Sequence, residues 1–189
     1  MTQKPTETDA KQALLDVAEH LFMTRGFATV KLRDIATKLG IKHASLYHHV
    51  PGGKEALYVA VVERNFYRHQ AGLQAALAEA DVTLRNQLHA VAHWFMSQPP
   101  MDLGRMLHSD LPSIRPEHAG RLNGLLLTTL REPIATALRA AAARGEAEIE
   151  DADFAAFGLI ALLQSVHNIP EAYVQQSGGR VQLAIASAN

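Results

Sequence analysis

The sequence predicts an all-α protein in which a small N-terminal three-helix unit is joined by a long helix to a larger helical body. Hydrophobic residues make up 48% of the chain and aromatic residues only 6%, and Ala and Leu, the strong helix formers, outweigh the Val, Ile and aromatic mixture that strands prefer. Apolar residues also recur at three- and four-residue spacing over most of the 189 positions, the periodicity of one helix face turned inward. Gly and Pro punctuate that pattern where helices should stop.

Taken in order, Leu14, Ala18, Leu21 and Phe22 follow Thr8 and Asp9, either of which suits a helix N-cap. They predict a first helix over Asp9–Arg25, with Gly26 supplying the left-handed exit. Leu32, Ile35, Ala36 and Leu39 mark a short second helix ending at Gly40. A third runs from after Ile41 to about Val50, where Pro51-Gly52-Gly53 stops it. From Lys54 the series Leu57, Val61, Val62, Phe66, Leu73, Leu77 predicts a long fourth helix to about Ala80, with a weak point at Gly72. Val82–Met96 reads as a fifth and Leu103–Ser109 as a short sixth. Residues 117–144 form a helical pattern that Pro133 should kink, closed by Gly145. Asp151 or Asp153 caps a helix over Phe154–Asn168, and Pro170–Gln176 and Arg180–Ala186 are the last helical segments.

Composition excludes several chemistries. The chain holds no cysteine, which removes disulfides, thiolate metal sites and thiol nucleophiles. The opening MTQKPTETDAKQ lacks the apolar run of a secretory signal. Phe154–Ile169 is too short, and too interrupted by polar residues, for a bilayer span. A cytoplasmic protein with no membrane partner is expected. Net charge is −1, but its distribution is uneven. Arg25, Lys31, Arg33, Lys38, Lys42 and Lys54 stand against the single Asp34 over residues 25–54, leaving the remainder acidic. A basic island on an acidic body outlines a protein with one face for polyanions.

That island contains two short helices joined at Gly40, a pair that can cross steeply because a small residue permits the turn. Its second helix presents Lys42, His43, Ser45, Tyr47 and His48 outward, side chains of varied reach and hydrogen-bonding type, with no acid among them. A helix of this width enters the DNA major groove, where base edges differ in donors, acceptors and the thymine methyl. The candidate DNA-binding residues are Lys31, Arg33, Lys42, His43, Ala44, Ser45, Tyr47, His48, His49 and Lys54.

Leu21-Phe22 before Gly26-Phe27, Asp34-Ile35-Ala36, Gly40-Ile41, Ser45-Leu46-Tyr47 and Lys54-Glu55-Ala56-Leu57, in that order and spacing, resemble the DNA-binding domain of the TetR family of regulators. Two features depart from the family pattern: Lys31 and Lys42 stand where Ser or Thr is usual, and Val50-Pro51-Gly52-Gly53 replaces a Phe and its following turn. The resemblance implies a helix-turn-helix DNA-binding domain over 1–53 with a recognition helix at Lys42–His48. It implies a ligand-binding and dimerisation domain over 54–189, a homodimer, double-stranded operator DNA as partner, and a small-molecule effector that releases a repressor from a palindromic site. The competing reading is a helical carrier of an apolar ligand with the same fold and no DNA binding; positive charge at the third helix weighs against it.

In the larger part, Phe66, His89, His93, Trp94, Met106, Leu107, Leu126 and Leu130 are the candidate lining of an effector pocket, although such residues also suit a packed core. His89 and His93 lie one turn apart, near enough in principle to share a metal with the His108-Ser109-Asp110 stretch, but no HExxH-type carboxylate accompanies them, and no metal or other cofactor is expected. The helix from Phe154 carries apolar residues around most of its circumference, with small residues allowing close approach. Phe154, Phe157, Gly158, Ala161, Leu162 and Ser165 are its candidate dimer face, in a four-helix interface built from two subunits. No nucleophile–base pair, paired carboxylates or phosphate loop appears, so no enzyme activity or catalytic residue is expected; Gly52-Gly53-Lys54 is followed by Glu55 rather than Ser or Thr.

Overall fold

The structure, a computed structural model, describes residues 7–166, which form helices and turns without a strand among them. The predicted segments 170–176 and 180–186 lie outside the described residues. Helix α1 spans Glu7–Arg25, so Thr8 and Asp9 fall inside its first turn rather than before it. Gly26, at φ 79°, ends it in the left-handed conformation that glycine adopts without a Cβ penalty.

Helix α2 spans Leu32–Leu39 and α3 spans His43–His49. The Asp34 carboxylate accepts the Lys31 amide at 2.9 Å; a lysine ammonium has no acceptor, so this is only the acidic half of a capping box. At the other end Gly40 sits at φ 68°. There Ile41 N–H donates to the Ala36 carbonyl and Gly40 N–H to that of Thr37, both at 3.1 Å, the paired bonds of a Schellman turn.

Helix α4 runs unbroken over Gly53–Glu79. The expected weak point at Gly72 is therefore not a break. A Cβ there would lie 2.0 Å from the Trp94 ring, so the glycine makes room for an indole. Helix α5 covers Leu84–Ser97, beginning two residues later than expected because Thr83 is the cap, its hydroxyl accepting the Asn86 amide at 3.3 Å.

The two proline-bearing stretches depart most from expectation. A single turn, α6 (Leu103–Arg105), opens into a π-helical turn at Met106–Asp110 and a 3₁₀ turn at Leu111–Ser113. Helix α7 (Pro116–Leu126) opens in the same way at Leu127–Arg131 before α8 (Glu132–Ala143). In both, the residue before a proline donates five residues back, Leu111 to Met106 and Glu132 to Leu127. Pro112 and Pro133 lack a donor and would press on the preceding turn; one added residue in that turn relieves the conflict. The hydroxyls of Thr128 and Thr129 donate to the Leu125 carbonyl at 3.1 and 2.7 Å, satisfying an acceptor at the widened turn. Helix α9 (Ala152–Val166) is capped by Asp151, whose carboxylate accepts the amides of Asp153 and Phe154 at 2.9 Å.

The described residues fall into two compact units, one formed by 7–65 with 101–124, the other by 66–100 with 125–166. In the first, Phe22, Ile35, Leu46, Tyr58 and Leu122 are fully enclosed. In the second, Phe66, Leu73, Leu130, Ile134 and Ile160 are. Each such side chain contributes about 1.5–3 kcal/mol relative to exposure, so either core suffices to hold its helices in register.

Candidate nucleic-acid interface

Leu46 and Val50 anchor α3, at 0% and 5% exposure. With those two inside, helical geometry turns the rest of the helix outward. Lys42, His43, Ala44, Ser45, Tyr47 and His49 are all exposed, as are Lys31 and Arg33 at the start of α2. His43 and Tyr47, one turn apart, pack edge to face with ring centroids at 5.0 Å, which steadies two of the longest side chains on that face. The side chain of His48 lies outside what the structure describes. The face holds no carboxylate, and the acids that flank it in sequence, Asp34 and Glu55, are engaged by the Lys31 amide and by Arg115 and His118 respectively.

Lys54 is differently placed. Its ammonium lies 4.2 Å from the centre of the Phe27 ring and 3.4 Å from the Ala28 carbonyl, a cation–π seat within the turn that joins α1 to α2. Partial burial lowers its pKa, opposed by the charge of Asp110 and assisted by Lys31. The lysine thus braces that turn as well as offering charge beside it.

The turn is held from behind by residues that the sequence pattern did not single out for this role. Asp110, at 3% exposure, accepts the Phe27 amide at 2.8 Å and the Tyr58 hydroxyl at 3.5 Å. Its other neighbour is Arg105, with Nε 3.6 Å from the carboxylate. Arg105 donates to the carbonyls of Phe22, Met23 and Thr24 at the end of α1, a cationic cap where the helix dipole favours positive charge. Burial, together with the adjacent Asp110 charge, pushes the Tyr58 phenol well above its ordinary range. A side chain on Gly26 would meet both Arg105 and Asp110 within 3.1 Å. Arg64 adds a second brace, reaching Glu19 at 2.6 Å and Asp16 at 2.8 Å from α4 to α1. Asp110 is 83 residues from Phe27 and 52 from Tyr58, a separation that no local pattern encodes.

Of the candidate effector-pocket residues, the structure brings His89, His93 and Trp94 together. They line a cleft of about 610 Å³ in the second unit, whose other wall is Gly72, Ala75, Ala76 and Glu79 of α4, with Ala80 just past its end. Phe66, Leu126 and Leu130 are enclosed in that unit's core, Met106 is buried in the first unit, and Leu107 lies at the surface. The α4 wall is legible afterwards as small residues at helical spacing. Among the described residues no group of three or more metal-ligating side chains is assembled, and no helix is long and apolar enough to cross a membrane.

On α9, Ala156, Ile160 and Leu163 face inward. The opposite stripe is open: Phe154 is 76% exposed and Leu162 63%, with Phe157 also exposed, and Gly158, Ala161 and Ser165 complete the same face.

Three N-terminal helices, the third short, exposed and acid-free, followed by helices and turns over the rest of the described residues, define the class of helix-turn-helix proteins with a helical C-terminal part. Residues 14–61 match the family of bacterial regulatory proteins described as the tetR family, and residues 82–178 match the C-terminal domain of AefR-like transcriptional repressors. The chain belongs to the TetR family. It is 37% identical over 54 residues to the HTH-type transcriptional regulator LmrA of Bacillus subtilis, covering 29% of each chain. It is 28% identical over 95 residues to the HTH-type transcriptional repressor NemR of Escherichia coli, covering 50% of this chain and 47% of that one. The matches thus span less than half the length of these curated relatives. The fold is shared over far more: the reduced form of E. coli NemR superposes with a TM-score of 0.70 at 20% identity, over 95% of both chains. A structure of AibR in complex with isovaleryl coenzyme A and operator DNA superposes with a TM-score of 0.68 at 17% identity, over 84% of this chain and 85% of that one.

Proposed function

We propose that this chain is a ligand-responsive, DNA-binding transcriptional regulator: a cytoplasmic homodimer that represses from a palindromic operator and is released by a small-molecule inducer. The observation that carries the reading is α3, anchored by Leu46 and Val50 and exposing Lys42, His43, Ser45 and Tyr47 with no acid beside them. In this reading residues 1–53 read DNA and residues 54–189 bind ligand and dimerise. Lys42 and His43 meet bases or phosphates at the start of the recognition helix, while Tyr47 and His49 fix register on the backbone. Lys31, Arg33 and Lys54 add phosphate contacts, and Ala44 leaves room for a thymine methyl.

The α9 stripe from Phe154 to Ser165 is the face where a second copy docks, setting two heads roughly 34–36 Å apart, one turn of DNA. Support for the ligand and operator parts comes from family membership and from AibR, whose structure contains both. Inducer binding shifts the population towards head spacings that no longer fit. The reading is of a binding protein, without catalytic residues.

A mobility-shift titration with DNA from upstream of its own gene, at physiological salt and against random competitor, tests it. Retention of one fragment in the presence of excess competitor is expected; equal affinity for random DNA overturns the proposal.

A further inference from the structure

We infer that the cleft between α4 and α5 is the effector site and that it takes an organic cation with an apolar body, such as a quaternary ammonium or a protonated amine. The effector role rests on the reading above; the ligand class rests on the cleft alone. Its volume, about 610 Å³, lies within the span of small-molecule sites, and half of its lining residues are alanine, which leaves space rather than filling it.

The aromatic surface in the cleft is Trp94. Its indole is pressed against Gly72, where a Cβ would come within 2.0 Å of the ring, and its Nε1 donates to His69 Nδ1 at 3.2 Å. One face is thus fixed against α4, and the ring is held to its cleft before any ligand arrives. Trp is the best aromatic partner for a cation, and a ring already immobilised loses little freedom on binding.

Charge decides the class. Among the lining residues Glu79 is the single Asp, Glu, Lys or Arg, and its carboxylate makes no hydrogen bond or ion pair with any described residue. A carboxylate or phosphate ligand would face Glu79 with neither lysine nor arginine in the lining to answer it. An organic cation would find that carboxylate at the rim, the indole as a platform, and the imidazoles of His89 and His93, one turn apart on α5, for any polar substituent.

Trp94 is the only tryptophan in the chain, so its emission reports the cleft directly. The full chain is titrated with phenyltrimethylammonium, uncharged tert-butylbenzene and benzoate. A saturable emission change is expected for the cation, with affinity about tenfold above either of the others. Glu79→Gln should weaken the cation about fivefold or more while moving the uncharged compound less than about twofold. Equal binding of the three compounds, an unchanged cation affinity in Glu79→Gln, or no saturable response overturns the cation site.

The same cation is then added to the protein–DNA complex. Release supports the effector role, whereas DNA retained with the cleft saturated overturns it and leaves the ligand class standing. Cation binding by a chain that ignores DNA upholds the site and refutes the regulator reading, so the two failures are distinguishable.

Discussion

Replacing Asp110 with alanine should be among the most damaging single changes in the N-terminal unit. The carboxylate is 3% exposed and serves three partners at once: the Phe27 amide at 2.8 Å, the Tyr58 hydroxyl at 3.5 Å and the Arg105 guanidinium at 3.6 Å. Removing one member of a buried, hydrogen-bonded charge pair typically costs about 3–5 kcal/mol. Here the lower end applies, because the Arg105 side chain is 26% exposed and keeps its bonds to the α1 carbonyls. A loss of about 3 kcal/mol corresponds to roughly 6–12 °C in the melting temperature of a chain this long. Asp110→Asn, which retains an oxygen for the Phe27 amide, should lose about half as much. Thermal denaturation followed by circular dichroism, at one fixed protein concentration, reads both. An alanine variant melting within about 2 °C of the parent, or an asparagine variant as damaged as the alanine one, would refute the three-partner account.

Tyr47→Ala and Lys54→Ala should each weaken operator binding, and the lysine change should reduce the salt slope by about one unit; an unchanged slope removes Lys54 from the phosphate contacts. Leu162→Glu places a charge in the 63%-exposed position of the α9 stripe and should give a monomer by light scattering, while a dimer of unaltered affinity would move the interface elsewhere. Gly72→Ala forces the indole from its seat, so the Trp94 emission should red-shift and stability fall by about 1–3 kcal/mol; unshifted emission counts against the tight packing. The pH dependence has a definite sign. The Arg115 amide, and then the Arg115 and His118 side chains, hold the Glu55 carboxyl below its ordinary 4.5, while Arg139 does the same for Glu132 and the Leu84 amide for Glu146. A depressed carboxylate contributes stability above its ordinary pKa and loses it as pH falls. Melting temperature should therefore drop as pH is lowered past about 4.5, with a shallower acid limb in Glu55→Gln; a parallel limb would show that these bonds do not matter.

The order of the helices could be read from the chain because each signal was local. Gly26 carries the left-handed exit predicted for it, α2 stops at Gly40 as expected, Asp151 caps α9, and Leu46 sits in the core of the pair joined at Gly40. What could not be read depends on distance in sequence or on the particular side chain. Glycine lowers helix propensity, so the sequence marks Gly72 as a weak point, and its purpose is visible only with Trp94 against it. His89, His93 and Trp94 share a cleft, whereas Phe66, Leu126 and Leu130, indistinguishable from them by periodicity, are enclosed. Hydrophobic spacing says that a face is turned inward but not whether space remains beside it. Sequence alone marks Asp110 only as a neighbour of His108; its partners are Phe27 in the turn after α1, Tyr58 of α4 and Arg105 of α6.

The widened turns before Pro112 and Pro133 carry a further implication for comparing related chains. Each added residue advances the helical phase by about 100°, so a wheel drawn continuously from Pro116 to Ala143 assigns the wrong azimuth to everything after Arg131. Ile134, Ala135 and Leu138 point into the core because of that offset. Losing a single residue from Leu127–Arg131 would rewind the segment to ordinary pitch and swing those three side chains away from their neighbours. Alignments of this region should therefore place gaps at the turn itself, where one residue decides which side of α8 is inside.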